Sequence, residues 1–216
     1  MSEPSPPLVL HGEPSWISPY VYSCFVALRE KGLDFEVRDV SLGQGEQERP
    51  AYRDRSLTGR VPALAHGDFW LAESSAIIEY LDEAFAAPAY PRLLPAGLRE
   101  RARARQVMAW VRSDLDALRA ERPTTTMFFE RASTPLSEAG RRAADKLLRV
   151  SESLVGDGRE HLDGDWSIAD TDLSFMLHRL ILNEHDVPAS LRAYAERQWR
   201  RPSARAYLEH ARRPPV

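Results

Sequence analysis

The hydrophobic period of this chain changes once, and the change divides it in two. Up to Phe85, short runs alternating every second residue stand between runs with helical spacing; beyond Leu98 only helical spacing remains. Leu8-Val9-Leu10 is a short apolar run closed by His11-Gly12-Glu13-Pro14. From Ser18 to Lys31, Val21, Phe25, Val26 and Leu28 recur at helical intervals, and Gly32 stands where that helix would end. Phe35 to Val40 alternates as a half-buried strand. Glu46 to Asp54 is polar, a short helix or an irregular turn. Two short runs, Pro62 to Ala65 and Phe69 to Ala72, flank His66-Gly67-Asp68, a hairpin connection. Ser74 to Phe85 then carries Ile77, Ile78, Leu81 and Phe85 on one helix face. A strand–helix–strand start requires a parallel pair joined by a crossover. The order β-α-β-α-β-β-α therefore predicts a mixed four-stranded sheet covered by helices.

Residues 87–97 contain Pro88, Pro91 and Pro95 and read as a linker. After it, Leu98 to Glu121 carries Val107, Trp110, Val111, Leu115 and Leu118 as one helical run, and Leu136 to Val155 carries Leu147, Leu148, Val150 and Leu154. Ser167 to His185 is apolar on several sides, which predicts the central helix of a bundle. Ser167-Ile168-Ala169-Asp170 opens it in capping-box order, and Asp172 falls in the same cap region; both are structural. Leu191 to Trp199 and Ser203 to Ala211 complete an all-helical second half. The expected organisation is an α/β domain over 1–86, the linker over 87–97, and an all-α domain over 98–216. The element order of the first domain is that of the thioredoxin-like fold.

Composition narrows the function. A hydrophobic fraction of 43% with 28% charged residues is that of a folded protein, and a net charge of −3 argues against nucleic acid as the main partner. Lys31 and Lys146 are the only lysines. Cys24 is the sole cysteine, so neither an intrachain disulfide nor a cysteine zinc cluster is expected. No run approaches the roughly 20 apolar residues of a membrane span, and the start of the chain lacks the pattern of a secretory leader. The expected compartment is the cytoplasm, with no membrane partner.

Two segments carry chemistry. In Arg60-Val61-Pro62-Ala63-Leu64 the residue before proline is pushed toward extended geometry. A cis Val61-Pro62 bond would turn the Val61 main chain outward, where it could pair with an extended peptide. Further on, Ser74 in Glu73-Ser74-Ser75-Ala76-Ile77 is placed to cap a helix whose N–H groups attract a carboxylate. Glu73 suits an ammonium and Ser74 a carboxylate, the two ends of an amino acid. Arg60 could hold a second carboxylate or stand solvated. The segment fits a small acidic peptide, and equally a proline-kinked strand followed by an ordinary helix.

Ser18-Pro19-Tyr20 lies where the first strand hands over to the first helix, with proline suited to the first helical position. A serine hydroxyl is no base near pH 7, but it can donate a hydrogen bond to a bound thiolate. Such a bond to a charged group is worth about 1.5–3 kcal/mol. A plain helix cap is the alternative. Cys24, six residues into the helical pattern, reads as a buried inert thiol, Tyr20 and Tyr22 as packing residues with hydroxyls to offer, and His11 as a satisfied structural histidine.

Taken together, these segments resemble the cytosolic glutathione transferase superfamily along nearly the whole chain. The resemblance rests on Ser18-Pro19-Tyr20, Arg60-Val61-Pro62-Ala63-Leu64, Glu73-Ser74-Ser75-Ala76-Ile77 and Ser167-Ile168-Ala169-Asp170, in this order and spacing. A closer resemblance, to the bacterial YfcF-like subfamily, rests on Arg101-Ala102-Arg103-Ala104-Arg105-Gln106, Trp110-Val111-Arg112-Ser113-Asp114-Leu115, Glu121-Arg122-Pro123-Thr124 and Ile168-Ala169-Asp170-Thr171-Asp172-Leu173. It implies the glutathione transferase architecture: an α/β thioredoxin-like N-terminal domain and an all-α C-terminal helical bundle. It also implies a homodimer, and glutathione as co-substrate with no metal.

By position, the resemblance makes Ser18 the residue that activates the thiol. Val61, before the family's cis-proline Pro62, pairs with the cysteinyl backbone, and Glu73 and Ser74 hold the γ-glutamyl end. A small hydrophobic electrophile is expected against the helical domain, with Tyr20, Trp110, Met127 and Phe128 as pocket candidates. Two family variants are absent: the Ser-Ser-Cys start of the zeta isomerases, and the Cys-Pro start of the omega-like enzymes. The expected activity is thiolate attack on an electrophilic carbon, with a peroxide oxygen as a second target. A binding or regulatory protein that keeps the fold without turnover is the rival from another class.

Overall fold

The computed structural model of the chain describes residues 6–211. It divides into two units, one ending at Leu93 and one beginning at Leu94. The first is built on four strands, β1 (Leu8–Gly12), β2 (Phe35–Asp39), β3 (Ala63–His66) and β4 (Phe69–Ala72). Their order is β2-β1-β3-β4. β1 runs parallel to β2 and antiparallel to β3, and β3 antiparallel to β4. This is the mixed four-stranded sheet that the sequence predicts.

The parallel pair is joined by α1 (Pro19–Glu30), which begins at Ser18-Pro19 as its proline dictates. It ends before Gly32, whose φ of +67° belongs to a residue without a Cβ. Gly12, at the end of β1, has a different reason: a Cβ there would lie 2.7 Å from Cγ1 of Val21, so the strand end and α1 approach closely. α2 (Pro50–Ser56) follows β2, and α3 (Ser74–Ala84) follows β4.

Strand alternation sends these helices to opposite faces. His66 meets Tyr80 of α3, Nδ1 to hydroxyl at 2.6 Å, and Phe69, paired with His66 in register, packs on the same tyrosine. On the other face His11, Ala63 and Trp70 meet Tyr52 of α2, with Val40 and Val61 completing the cluster. Lys31, buried at the end of α1, donates to Asp82 Oδ1 and to the Phe85 carbonyl, both at 2.8 Å. Asp82 Oδ1 also accepts from Leu93 N–H at 2.8 Å, so one carboxylate ties α1 to the chain leaving α3.

The second unit is helical: α4 (Leu98–Ser113), α5 (Asp116–Glu121), α6 (Thr125–Phe128), α7 (Glu138–Val155), α8 (Ile168–Ile181), α9 (Ala189–Trp199) and α10 (Pro202–Ala211). The single run expected over Leu98 to Glu121 is broken at Asp114-Leu115. Leu115 takes φ +65°, and the Asp114 carboxylate accepts its N–H at 2.7 Å. Every residue of α8 is buried, as a central helix requires. Asp170 closes its capping box and does more: Oδ2 accepts from Ser167 N–H at 2.9 Å, and Oδ1 accepts from Leu162 N–H and the Tyr194 hydroxyl, both at 2.8 Å. Asp172, also on α8, is ion-paired with Arg112 of α4. Among the described residues no helix is long and apolar enough to cross a membrane.

Candidate functional site

Register decides which loops meet. His11 of β1 stands opposite Ala63 of β3, and Ala63 opposite Ala72 of β4. The loop leaving β1, the segment entering β3 and the segment leaving β4 therefore emerge at one end of the sheet. These three segments contain Ser18, Arg60-Val61-Pro62 and Glu73-Ser74.

The backbone marks the same place. Outside glycine, a positive φ is uncommon, and residues held there cluster at functional sites. In the first unit, among the described residues, three non-glycine residues have one: Trp16 at 54°, Leu57 at 59° and Glu73 at 68°. Each lies in a different one of the three segments.

Ser18 is the N-cap of α1, with extended backbone (φ −70°, ψ 123°). Its Oγ accepts from Val21 N–H at 3.3 Å and its carbonyl from Tyr22 N–H at 2.9 Å. The Ser18 N–H is held by a residue that the sequence reading passed over. Glu13 folds its carboxylate back under the loop, and Oε1 accepts from Ile17 N–H at 2.7 Å and Ser18 N–H at 2.8 Å. Burial pushes the Glu13 carboxyl above the ordinary carboxylate range, against the opposing pull of these N–H groups.

The Val61-Pro62 bond is cis. The Arg60 carbonyl accepts from the Tyr52 hydroxyl at 2.7 Å, while the Arg60 side chain is exposed. No hydrogen bond to the Val61 main chain occurs among the described residues. The valine side chain rests on the cluster of Tyr52, Ala63 and Val40.

At α3 the capping differs from the sequence reading. Glu73 occupies the N-cap position, with φ 68° and ψ 112° and its carbonyl accepting from Ile77 N–H at 2.9 Å; Ser74 is the first helical residue. An N-cap needs non-helical dihedrals, and the chain takes them at Glu73. Glu73 is exposed and Ser74 buried. The Ser74 carbonyl meets Sγ of Cys24 at 3.8 Å, so Cys24 is a buried packing thiol.

His11 departs from the satisfied histidine expected. It is buried against Trp70 and Tyr52, and among the described residues its Nε2 has no hydrogen-bond partner. Burial, helped by the Arg38 charge, lowers its pKa to about 4, so the ring is neutral. It packs on Tyr52 and Trp70, which belong to the cluster that carries Val61.

Comparison with known proteins decides the family. A family model for the glutathione S-transferase C-terminal domain matches residues 97–212, and one for the glutathione S-transferase N-terminal domain matches residues 17–84. The chain belongs to the glutathione S-transferase family. It is 41% identical to a glutathione transferase homolog from Burkholderia gl BGR1 whose crystal structure holds bound glutathione. That match has a TM-score of 0.78 and covers 96% of this chain and 98% of the other. Glutathione S-transferase F10 of Arabidopsis thaliana is 32% identical over 156 residues, 67% of this chain and 69% of the relative. Probable glutathione S-transferase GSTU1 of Oryza sativa subsp. japonica is 33% identical over 150 residues, and there the match spans 69% of this chain and 62% of the relative.

The pocket candidates of this glutathione S-transferase family member fall in two groups. Tyr20 lies on the first turn of α1, beside Ser18. The others lie in the helical unit: Trp110 on α4, with Nε1 donating to Asp114 Oδ2 at 3.0 Å, and Met127 and Phe128 on α6. Phe128 stacks on Trp199 and meets Phe175, both with ring centroids 6.2 Å apart. Among the described residues, no group of three or more His, Cys, Asp or Glu side chains could hold a metal ion.

Proposed function

We propose that the protein is a glutathione transferase in which the Ser18 hydroxyl stabilises the thiolate of bound glutathione for attack on a small hydrophobic electrophile. The observation that carries this reading is the convergence of three strained segments at one sheet end in a chain of this family. A relative 41% identical that binds glutathione supports the choice of thiol.

Glutathione presents two free carboxylates, an ammonium and an extended cysteinyl segment. In the proposed complex the Val61 main chain, set by Pro62, pairs with the cysteinyl segment. Glu73 meets the γ-glutamyl ammonium, and Ser74, at the N-terminal turn of α3, meets its carboxylate. The exposed Arg60 guanidinium takes the second carboxylate.

A serine hydroxyl both accepts and donates. Ser18 Oγ accepts from Val21 N–H and in the complex donates its O–H to the sulfur, beside the positive end of the α1 dipole. The thiol proton goes to solvent, and the sulfur forms a bond to the electrophilic carbon as the leaving group departs. Attack on a peroxide oxygen by the same thiolate is the proposed second activity, consistent with detoxification. It breaks the O–O bond, releases an alcohol and leaves a sulfenic acid that a second glutathione converts to the disulfide and water. We assign the chain to the YfcF-like branch on the segments from Arg101 to Thr124 and Ile168 to Leu173, and read it as a cytoplasmic homodimer.

The test is Ser18→Ala. A lost hydrogen bond to a charged group, about 1.5–3 kcal/mol, corresponds to a roughly 10–100-fold fall in conjugation of a generic aromatic halide. Unchanged turnover with an unchanged pH–rate profile would remove Ser18 from the mechanism.

A further inference from the structure

The β1–α1 loop is organised around a buried acidic side chain, Glu13. Glu13 is only 9% exposed. Its Oε1 alone receives two N–H groups, from Ile17 and Ser18, while the Glu13 carbonyl accepts from Trp16 N–H at 3.3 Å. Two consecutive peptide groups are thus turned toward one side chain, and a third is held by the main chain of the same residue. The turn demands an unfavourable dihedral of Trp16, whose φ is 54°, and a loop without that acceptor has no reason to keep it.

The consequence reaches Ser18 directly. Its N–H is fixed by Glu13 and its carbonyl by Tyr22 N–H at 2.9 Å, so the residue is held from both sides. The hydroxyl can then point in few directions. Hydrogen bonding across the reacting atoms is sensitive to displacements of about 1 Å.

We propose that Glu13 is a positioning residue: its carboxylate shapes the loop of residues 15–18 so that the Ser18 hydroxyl is presented to the thiol. This rests on the role proposed for Ser18 above. Glu13 touches neither the thiol nor the electrophile, and its whole effect passes through Ser18.

A double-mutant cycle on the full-length protein tests that statement, with glutathione and an aromatic halide as substrates. Glu13→Ala is expected to lower kcat/KM about tenfold. Glu13→Gln, which keeps the oxygen that receives both the Ile17 and Ser18 N–H groups, is expected to recover at least a third of the wild-type value. The decisive measurement is Glu13→Ala combined with Ser18→Ala, expected within about twofold of Ser18→Ala alone because the displaced hydroxyl is already gone.

Multiplicative losses, with the double variant about tenfold below Ser18→Ala, would overturn the inference and leave the Ser18 reading standing. A wild-type rate in Glu13→Ala would do the same. A wild-type rate and pH profile in Ser18→Ala would overturn both. Circular dichroism establishes that each variant is folded; should Glu13→Ala not fold, the cycle is run with Glu13→Asp, whose shorter side chain draws the carboxylate away from Ser18 N–H.

Discussion

Replacing Tyr52 with phenylalanine isolates one bond under the proposed glutathione site. The ring is buried in the cluster with His11, Trp70, Val40 and Ala63, and phenylalanine fills the same space without leaving a cavity. Only the hydroxyl is lost, and with it the 2.7 Å bond to the Arg60 carbonyl. A neutral hydrogen bond contributes about 1 kcal/mol net, and a carbonyl left without a partner adds to the cost, which puts the total at about 1–2 kcal/mol.

The bond joins the body of the first unit to the residue before Val61, so its loss falls on the conformation that aims the Val61 main chain. Binding weakens by the fraction of molecules that leave that conformation. The expected result is a roughly 3–10-fold rise in the glutathione Kd by calorimetry, with kcat within about twofold, because Ser18 is held by a separate loop. The melting temperature should fall by a few degrees, about 2–4 °C for each kcal/mol in a chain of this size. A drop in melting temperature with no change in Kd would refute the reasoning: the bond would then serve the fold alone.

Two further outcomes are expected. Replacing Glu73 and Ser74 together with alanine should weaken glutathione binding at least tenfold while changing kcat less than threefold, read from initial rates over a range of glutathione; an unaltered affinity would misplace the γ-glutamyl end. The second concerns acid. His178 on α8 is buried, stacked on Trp199 and bonded through Nδ1 to the Ser174 carbonyl, and burial lowers its pKa to about 4. The unfolded chain takes up this proton near pH 6.5 and the folded chain only near 4. Stability present above pH 6.5 is therefore lost as the pH falls through that window, by about 3 kcal/mol in full. His178→Phe should flatten the fall in melting temperature between pH 6.5 and 4, and an unchanged slope would show that the ring is not the titrating group.

Elements with local signals were legible in the sequence. The four strands, α1 and α3 follow from alternation and from Pro19, Gly32 and Pro62 at their boundaries. α2 stayed undecided because only Tyr52 and Ser56 of its seven residues are buried, which leaves almost no amphipathic pattern to read. The break between α4 and α5 escaped because no glycine or proline marks it. A side chain one residue away, Asp114, stabilises the turn instead.

The site follows the same division. Ser18 and the Val61-Pro62 segment are recognisable because capping and proline geometry are local chemistry. At Glu73-Ser74 the helix start was legible, but the cap falls on Glu73 and not on the serine. Glu13 and Tyr52 are not recognisable, because each acts on a backbone group through folding that no spacing rule encodes. Glu13 reads as a turn residue after a strand, and Tyr52 as a stray aromatic in a polar stretch.

The residues that local rules fail to predict are themselves informative. Elsewhere in the first unit, positive φ values fall on Gly32, Gly45, Gly59 and Gly67, where residue type and backbone agree. Trp16, Leu57 and Glu73 take such values with no preference for them. A sequence tends to depart from its own local preferences at functional sites. The three segments that carry these departures, far apart in the chain, enter or leave the sheet at one end through the pairing of His11 with Ala63 and Ala63 with Ala72. Chance strain would have no reason to follow the register, whereas a site that binds an extended peptide along the sheet end requires all three segments to be shaped there together.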